Sequence, residues 1–373
     1  MLSIRPFYTT RAIGHSLTKT VGSRFLSTAS GEFAFAFDID GVLLRGTEAI
    51  PKAGEALKLL NKNKIPFILL TNGGGILEAD RVNFISQKLG VEISPLQIVQ
   101  SHTPYKTLVD KYERILAVGT PSVKNVAKTY GFKDVVHPFD IVRYNKSITP
   151  FSGVTNQELD QYSTEIKDLT TKKFDAVLVF NDPHDWAGDL QVISDVLNTQ
   201  DGMLNTLRKE QQWEPAVPIY FSNNDLLWAN QYSLNRFGQG AFRYLVQTLY
   251  SKMNKGMPLR DFIIGKPTAI TYDFAHNVLI DWRNKLINGE TGSSVQCLPP
   301  LGHKPDNSPF EKVFMVGDNP ASDIIGANKN GWESCLVRTG VYHDGDVLDQ
   351  CTPTMIVDDS YTAVVNVLKK YNL

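Results

Sequence analysis

The sequence is poor in cysteine, carries almost no net charge and has no long apolar run. Its cysteines, Cys297, Cys335 and Cys351, are odd in number and scattered, which argues against a disulfide framework and a cysteine-based zinc site. Lys plus Arg number 38 against 39 for Asp plus Glu, so the chain lacks the overall basic charge of a nucleic-acid-binding protein. No stretch approaches about 18 consecutive apolar residues, and we therefore expect no transmembrane segment.

The remaining composition is that of an ordinary globular protein. The 373 residues allow two or three domains, and contents of 42% hydrophobic and 21% charged residues suit a sizeable apolar core. No internal repeat is found.

The first thirty residues differ in charge from everything that follows. They hold Arg5, Arg11, Lys19 and Arg24 among many serines and threonines, and no acidic residue precedes Glu32. This bias is typical of a mitochondrial presequence, so residues 1–30 are predicted to target the protein to the mitochondrion, with the matrix as its destination. The alternative is a disordered basic tail. Removal of the four cations would change the formal net charge from −1 to −5.

The most informative stretch is residues 33–46, where an apolar run ends in two aspartates. Residues 33–37 predict a strand buried on both faces, and Asp38, Asp40 and Gly41 follow it. Open α/β sheets bind their ligands at such strand ends. Two carboxylates this close repel unless one is protonated or a cation lies between them, which predicts a Mg²⁺ site. The alternative is a plain turn, because Asp and Gly are common turn residues.

Strand and helix patterns alternate along the chain and predict an α/β fold with a Rossmann-like open parallel sheet. A first module holds helices at 51–63 and 77–89 with a strand at 65–70 between them. A second α/β module, with strands at 115–119, 174–180 and 217–221, interrupts it. The first module is expected to resume at a short strand, 262–265, and to continue with strands at 313–316, 335–337 and 355–357. We therefore expect a core at 31–103 and 259–373 with an insertion at 104–258.

Other predicted strand ends carry polar groups that complete one candidate site. Thr71 and Asn72 end the strand at 65–70, Lys266 follows the strand at 262–265, and Asp318 and Asp323 follow the strand at 313–316. Together with the first aspartate pair, these groups suit phosphoryl transfer, because they offer a nucleophile, a proton carrier, phosphate ligands and metal ligands.

Each group has a predicted role. Asp38 attacks phosphorus and forms an aspartyl-phosphate, while Asp40 protonates the leaving oxygen and later takes a proton from water. Thr71, Asn72 and Lys266 bind phosphoryl oxygens.

The predicted Mg²⁺ site has four contributors. Asp38 and Asp318 supply carboxylates, Asp40 its backbone carbonyl, and Asp323 orients metal-bound water. The alternative for Asp318 and Asp323 is that they cap the helix that follows.

The motif order DIDG, LLTN, GKP and GDNPASD resembles the haloacid dehalogenase (HAD) superfamily of hydrolases. A module inserted between the second and third motifs is similar to the class IIA phosphatases of that superfamily. TNGGG, NDPHDW and RFGQGAF most resemble the mitochondrial HAD-like hydrolases related to the cat-eye-syndrome critical region protein. The resemblance implies Mg²⁺ as cofactor and a cap over the site, which favours a small phosphorylated molecule as substrate.

Within the inserted module, His184, Asp185 and Trp186 are candidates for recognising the leaving group, because they follow a predicted strand. The alternative is a structural loop whose tryptophan packs in the core of that module. Asn223 follows the next strand, and it either contacts substrate or ends the strand.

Three functions are left open by the residues and the resemblance. The first is a phosphatase of a small mitochondrial metabolite, and the second is a related hydrolase of glycerophospholipid metabolism. The third is a binding or scaffold protein that kept the fold without turnover. Dehalogenase chemistry is disfavoured, because it has no leaving oxygen for Asp40 to protonate. A homodimer is one alternative for the assembled state.

Overall fold

Two parallel sheets organise the structure, one built from both ends of the described chain and one from its middle. The computed structural model describes residues 32–209, 214–228, 232, 234–292, 296, 298–348 and 351–373. The predicted presequence, residues 1–30, and Cys297 lie outside these residues. Cys335 and Cys351 are buried free thiols.

The strands of the described residues are, in chain order, β1 (Glu32–Phe37), β2 (Leu44–Arg45), β3 (Glu48–Ala49), β4 (Phe67–Leu70), β5 (Ile98–Val99), β6 (Arg114–Val118), β7 (Asp134–Val136), β8 (Ala176–Val179), β9 (Ile219–Phe221), β10 (Leu227–Trp228), β11 (Arg236–Phe237), β12 (Phe262–Ile263), β13 (Phe310–Gly317), β14 (Glu333–Val337) and β15 (Met355–Val357). The α-helices are α1 (Ala53–Lys62), α2 (Glu78–Leu89), α3 (Val123–Tyr130), α4 (Pro138–Tyr144), α5 (Asn156–Tyr162), α6 (Trp186–Leu197), α7 (Gln239–Met253), α8 (Ala269–Asn288), α9 (Ile325–Lys329) and α10 (Ser360–Tyr371). No helix among these is both long and apolar enough to cross a lipid bilayer.

The first sheet has the order β15-β14-β13-β1-β4-β5, and every pair in it is parallel. β1 lies in its middle, and its side chains alternate between two hydrophobic clusters. Phe35 shares one cluster with Leu57 of α1 and Val364 of α10, whereas Ala36 shares the other with Val278 of α8. The predicted strand buried on both faces is therefore confirmed, and helices cover both faces of the sheet.

The second sheet has the order β12-β9-β8-β6-β7 and is also fully parallel. Four of its strands, β6 to β9, lie in the chain between β5 and β13 of the first sheet, as the expected insertion requires. The expectation that the strand at 262–265 returns to the first sheet was wrong. β12 pairs with β9, so the chain leaves the second sheet only after Ile263.

Both sheets belong to one compact unit, Glu32–Leu373. The α/β fold with a parallel sheet and an inserted module, expected from the alternation of elements, is confirmed. The carboxyl ends of β13, β1 and β4 lie side by side, because these three strands are neighbours. This edge of the first sheet carries the candidate site.

Candidate active site

Three buried carboxylates from two strand ends form the centre of the site. Asp38 follows β1, and Asp318 and Asp323 follow β13, the neighbouring strand. One carboxylate oxygen of each lies within 4.8 Å of the others. Asp318 is 3% exposed and Asp323 fully buried. Burial, and then the charges of Asp38 and Asp323, raise the pKa of Asp318. Burial also raises the pKa of Asp323 to about 6 against the opposing charge of Lys266.

Lys266 places a buried cation against two of these carboxylates. Its Nζ lies 2.6 Å from Oδ1 of Asp323 and 3.0 Å from Oδ1 of Asp38. Burial lowers the pKa of Lys266, but the two carboxylates outweigh it and hold that pKa above its ordinary value. The lysine therefore stays protonated, and three carboxylates with one ammonium leave an excess of negative charge that suits a cation.

Backbone groups fix the two later aspartates. Val341 donates its N–H to Oδ2 of Asp318 at 2.8 Å, and Asn319 donates its N–H to Oδ2 of Asp323 at 3.1 Å. A Cβ at Gly340 would lie 1.9 Å from Oδ2 of Asp318, so only glycine permits this approach. Each carboxylate thus has one oxygen held by the chain.

Asp40 stands apart from the three-carboxylate cluster. Its Oδ2 lies 3.3 Å from Nη2 of Arg81, the fourth residue of α2, and its side chain is 58% exposed. Partial desolvation of the carboxylate raises the pKa of Asp40; Arg81 opposes this rise, and Asp38 adds to it. Sequence reasoning missed Arg81. The available signal was a cation in the first turn of a helix, a position that the helix dipole disfavours.

Thr71 and the glycines after it line the same edge. Oγ1 of Thr71 accepts the N–H of Gly73 at 3.0 Å, which leaves the hydroxyl proton free to be donated. A point at the missing Cβ of Gly73 lies 3.4 Å from this oxygen and 3.9 Å from Oδ2 of Asp40. Both oxygens border the same point, so Thr71 lies at the edge that carries Asp40, as the strand order predicts.

Asn72 makes contacts that sequence reasoning did not anticipate. Its side-chain amide bonds to the backbone N–H and C=O of Lys266 and to the carboxylate of Asp225. Asn223 also reaches this point, since its Nδ2 donates to the backbone oxygen of Asn72 at 3.4 Å. The turn after β9 therefore adjoins the site.

The other candidates of the inserted module have partners of their own. His184 pairs with Glu158 at 3.1 Å, and the hydroxyl of Ser152 donates to Asp185. Within the part of the chain that the structure describes, no hydrogen bond or ion pair joins His184 or Asp185 to the carboxylate cluster.

Trp186 packs in the inserted module. Its ring lies edge-on to Phe242 with centroids 5.3 Å apart, and it packs against the hydrophobic cluster of the second sheet. This packing agrees with the alternative that Trp186 belongs to the core of the inserted module.

Comparison with known proteins gives matches along nearly the whole described chain. Residues 35–133 match the family model of haloacid dehalogenase-like hydrolases, and residues 263–363 match a HAD-hydrolase-like model. A mitochondrial hydrolase of Saccharomyces cerevisiae is 65% identical over 94% of this chain and 99% of its own length. A fusion protein of Schizosaccharomyces pombe, cardiolipin synthase (CMP-forming) with a mitochondrial hydrolase, is 37% identical over 91% of this chain and 54% of its own length.

Solved structures share the fold. NagD from Escherichia coli superimposes with a TM-score of 0.54 at 17% identity, covering 89% of this chain and 98% of that one. A glycerol phosphate phosphatase from Mycobacterium tuberculosis, in complex with magnesium, gives a TM-score of 0.54 at 17% identity over 90% of this chain and 76% of that one.

Proposed function

This chain belongs to the haloacid dehalogenase-like hydrolases, and we propose that it is a Mg²⁺-dependent phosphatase of a small phosphorylated metabolite. The family resemblance expected from the motif order is thereby confirmed. The observation that carries the proposal is the single buried cluster of Asp38, Asp318, Asp323 and Lys266, which segments far apart in the chain supply. Mixed charges of this kind suit a phosphoryl group bound beside a metal ion.

The donor set fits Mg²⁺. Three carboxylates lie close enough to share one ion, and, among the described residues, the buried Oδ1 of Asp38 has no polar contact other than the ammonium of Lys266. Hard oxygen ligands are those that Mg²⁺ prefers. Asp38 and Asp318 would hold the ion together with the backbone carbonyl of Asp40, and Asp323 would orient water bound to the ion. When bound, the ion neutralises charge on the phosphoryl oxygens.

The chain's own residues account for the two steps of the proposed hydrolysis. An oxygen of Asp38 attacks phosphorus, the new O–P bond forms, and the bond to the leaving oxygen breaks as Asp40 gives that oxygen a proton. Water then attacks the phosphorus, Asp40 takes up a proton of that water, and inorganic phosphate departs with the carboxylate of Asp38 restored. The raised pKa of Asp40 suits a group that must be protonated in the first step.

Thr71 and Lys266 are proposed to bind the phosphoryl oxygens. The ammonium of Lys266 already lies 3.0 Å from the proposed nucleophile, and the Thr71 hydroxyl stands beside the aspartate pair. Both donors would face the equatorial oxygens, where charge gathers in the transition state.

The inserted module, predicted at 104–258, is assigned the role of a cap, and the pairing of β12 with β9 extends its sheet to Ile263. The core is then residues 31–103 and the chain after Ile263, in place of the predicted 259–373. A roof over the site favours small substrates over proteins. Asn223 is the cap candidate best supported, because it reaches Asn72 beside the site. His184, which is exposed, and Asp185, which is half-buried, stay candidates for substrate binding.

A mitochondrial location is part of the proposal. It is supported by the basic, acid-free first thirty residues and by the name of the yeast relative, a mitochondrial hydrolase.

Hydrolysis of a phosphate ester in glycerophospholipid metabolism is the second candidate. The fission yeast relative carries a cardiolipin synthase in the same chain, and a hydrolase joined to a synthase is well placed to act on a related phosphate ester. Glycerol-based phosphomonoesters assayed beside sugar and nucleotide phosphates test this candidate. A preference for the glycerol esters supports it, and their rejection contradicts it.

The decisive experiment measures hydrolysis of p-nitrophenyl phosphate by the full-length protein with Mg²⁺ and with a chelator. The parent should be active only with Mg²⁺, and Asp38→Asn should lose at least about 10³-fold in kcat, because the nucleophile is gone. Asp358→Asn, which alters an exposed aspartate paired with Arg338, is the matched control and should keep parent activity. Equal hydrolysis by parent and Asp38→Asn would favour the non-catalytic alternative.

A further inference from the structure

The side chain of Asn72 is bonded to both backbone polar groups of Lys266. Oδ1 of Asn72 accepts the N–H of Lys266 at 2.7 Å, and Nδ2 donates to the C=O of Lys266 at 3.0 Å. One amide thus spans the lysine residue on either side of its Cα. Gly265 makes room for this approach, since a Cβ there would lie 3.1 Å from Oδ1 of Asn72.

The second N–H of the same amide is also used. Nδ2 of Asn72 donates to Oδ2 of Asp225 at 2.9 Å. An asparagine side chain has two N–H donors and one carbonyl acceptor. All three groups have protein partners, so the amide has no N–H left for a phosphoryl oxygen.

Asp225 reinforces the way the amide faces, which the N–H and C=O of Lys266 also require. A carboxylate accepts hydrogen bonds and does not donate them, so it selects the Nδ2 side of Asn72 and turns Oδ1 toward the N–H of Lys266. Asp225 is itself held in the turn after β9, where its N–H donates to Oδ1 of Asn223 at 2.7 Å and its C=O accepts the N–H of Gly240 at 3.0 Å. The inserted module therefore contributes one of the three hydrogen bonds that set this orientation.

We infer that Asn72 is a positioning residue that fixes the backbone of Lys266, and that Asp225 orients Asn72 for this task. The inference rests on the proposed phosphatase function, and it replaces direct phosphate binding by the Asn72 side chain, which the sequence predicted. The hydrogen bonds of Asn72 join three segments: the end of β4, the turn after β9 and the residue that follows Gly265.

The clamp is the pair of hydrogen bonds from Asn72 to the backbone of Lys266. The position of the Lys266 ammonium explains why it matters. Nζ of Lys266 contacts Asp323 at 2.6 Å and Asp38 at 3.0 Å, at the far end of a long flexible side chain. A rotation of the Lys266 backbone would move the ammonium away from these carboxylates and from a phosphoryl group bound beside them. A misplacement of about 1 Å in an active site can reduce the rate by about 10²-fold.

Two readouts on full-length variants separate positioning from binding. One is kcat and KM for p-nitrophenyl phosphate with Mg²⁺, and the other is hydrogen exchange of a peptide that contains Lys266, measured by mass spectrometry. Pro267 has no N–H, which simplifies the exchange signal. The matched control is Asn277→Ala, because Nδ2 of Asn277 also donates two hydrogen bonds, to the backbone carbonyls of Asp273 and His303.

Asn72→Ala should lower kcat by about 10- to 100-fold, change KM little, and speed exchange at Lys266. Asp225→Asn keeps an acceptor for Nδ2 and should retain most of kcat, whereas Asp225→Ala should fall between. Asp225→Ala also serves as the milder disruption if Asn72→Ala does not fold. Asn277→Ala should leave both readouts at parent values.

The outcomes distinguish this inference from the function on which it rests. An Asn72→Ala variant with parent exchange at Lys266, or with raised KM, weaker inhibition by inorganic phosphate and unchanged kcat, would overturn the clamp. Faster exchange in a protein that shows no phosphatase activity in any form would support the clamp and contradict the proposed function.

Discussion

Arg81 and Asp40 form an ion pair across the candidate site, with Nη2 and Oδ2 3.3 Å apart. The guanidinium opposes the rise that desolvation causes in the pKa of Asp40. The proton carrier of the proposed reaction is therefore tuned by a cation on α2, the helix that follows the glycine-rich turn.

Arg81→Gln should move the alkaline limb of the pH–rate profile to higher pH. Removal of a neighbouring positive charge raises the pKa of Asp40 further, so Asp40 keeps the proton it must donate up to a higher pH. The measurement is the rate of leaving-group release in single turnover across pH 5 to 9. Arg81→Lys preserves the cation and should keep the parent profile; an unmoved or lowered limb in Arg81→Gln would contradict this assignment.

His102 should make the protein less stable in acid. It is fully buried, its Nδ1 pairs with the hydroxyl of Tyr130, and its Nε2 has no hydrogen-bond partner. Burial lowers the pKa of His102 to about 4, with Lys106 adding to the shift and Glu78 opposing it. Because the folded pKa lies below the unfolded value of about 6.5, this contribution to stability is lost as pH falls from 6.5 toward 4.

His102→Gln cannot take up a proton and tests this directly. Between pH 7 and pH 5 the parent should lose about 2 kcal/mol more of its free energy of unfolding than the variant does. Guanidinium denaturation at the two pH values measures the difference. His343→Gln, which alters an exposed histidine, should follow the parent; equal losses in parent and His102→Gln would show that His102 does not titrate on unfolding.

Gly74→Ala should destabilise the protein by about 1–3 kcal/mol. A Cβ at this position would lie 2.7 Å from Cδ2 of His102 and 3.2 Å from the backbone oxygen of Phe180, which cannot turn aside. Gly73→Ala is the matched control in the same turn, since its nearest contact would be 3.4 Å. Chemical denaturation of both variants measures the contrast. Equal stability of the two would mean that the turn relaxes freely.

Trp186→Ala should reduce stability and spare catalysis. The indole packs edge-on against Phe242 on the cluster of the second sheet, so its removal should cost about 2–3 kcal/mol of unfolding free energy. Trp228→Ala, at an indole 48% exposed, should cost less than about 1 kcal/mol. If Trp186→Ala kept parent stability and raised KM, the tryptophan would instead belong to leaving-group recognition.

The main strands could be predicted because buried parallel strands are continuous apolar runs. Residues 355–357 were predicted and β15 is Met355–Val357; residues 33–37 lie within β1. The two-residue strands β2, β3, β5, β10 and β11 were not predicted, since they exist only through their pairing. The strand β12 was predicted, but its apolar pattern does not indicate which sheet it joins.

The residues of the candidate site could also be predicted only in part. Asp38, Thr71 and Asp318 could be selected because each follows a predicted strand of the first sheet and parallel strands end together. Lys266 was selected by the same rule, although its strand β12 belongs to the second sheet. Arg81 and Asp225 are separated in sequence by 41 and 153 residues from the groups they contact. Such contacts depend on how a helix or a turn packs, which no local pattern records.

The position of β1 in the first sheet also governs how the protein must be made. β1 is the first described strand to leave the ribosome, yet its neighbour β13 begins only at Phe310. Until that late segment has been synthesised, the phenylalanines of β1 and one of its hydrogen-bonding edges can pair with other chains. Translation products that stop before Phe310 are therefore expected to aggregate, and a chaperone has reason to hold the nascent chain until synthesis is complete.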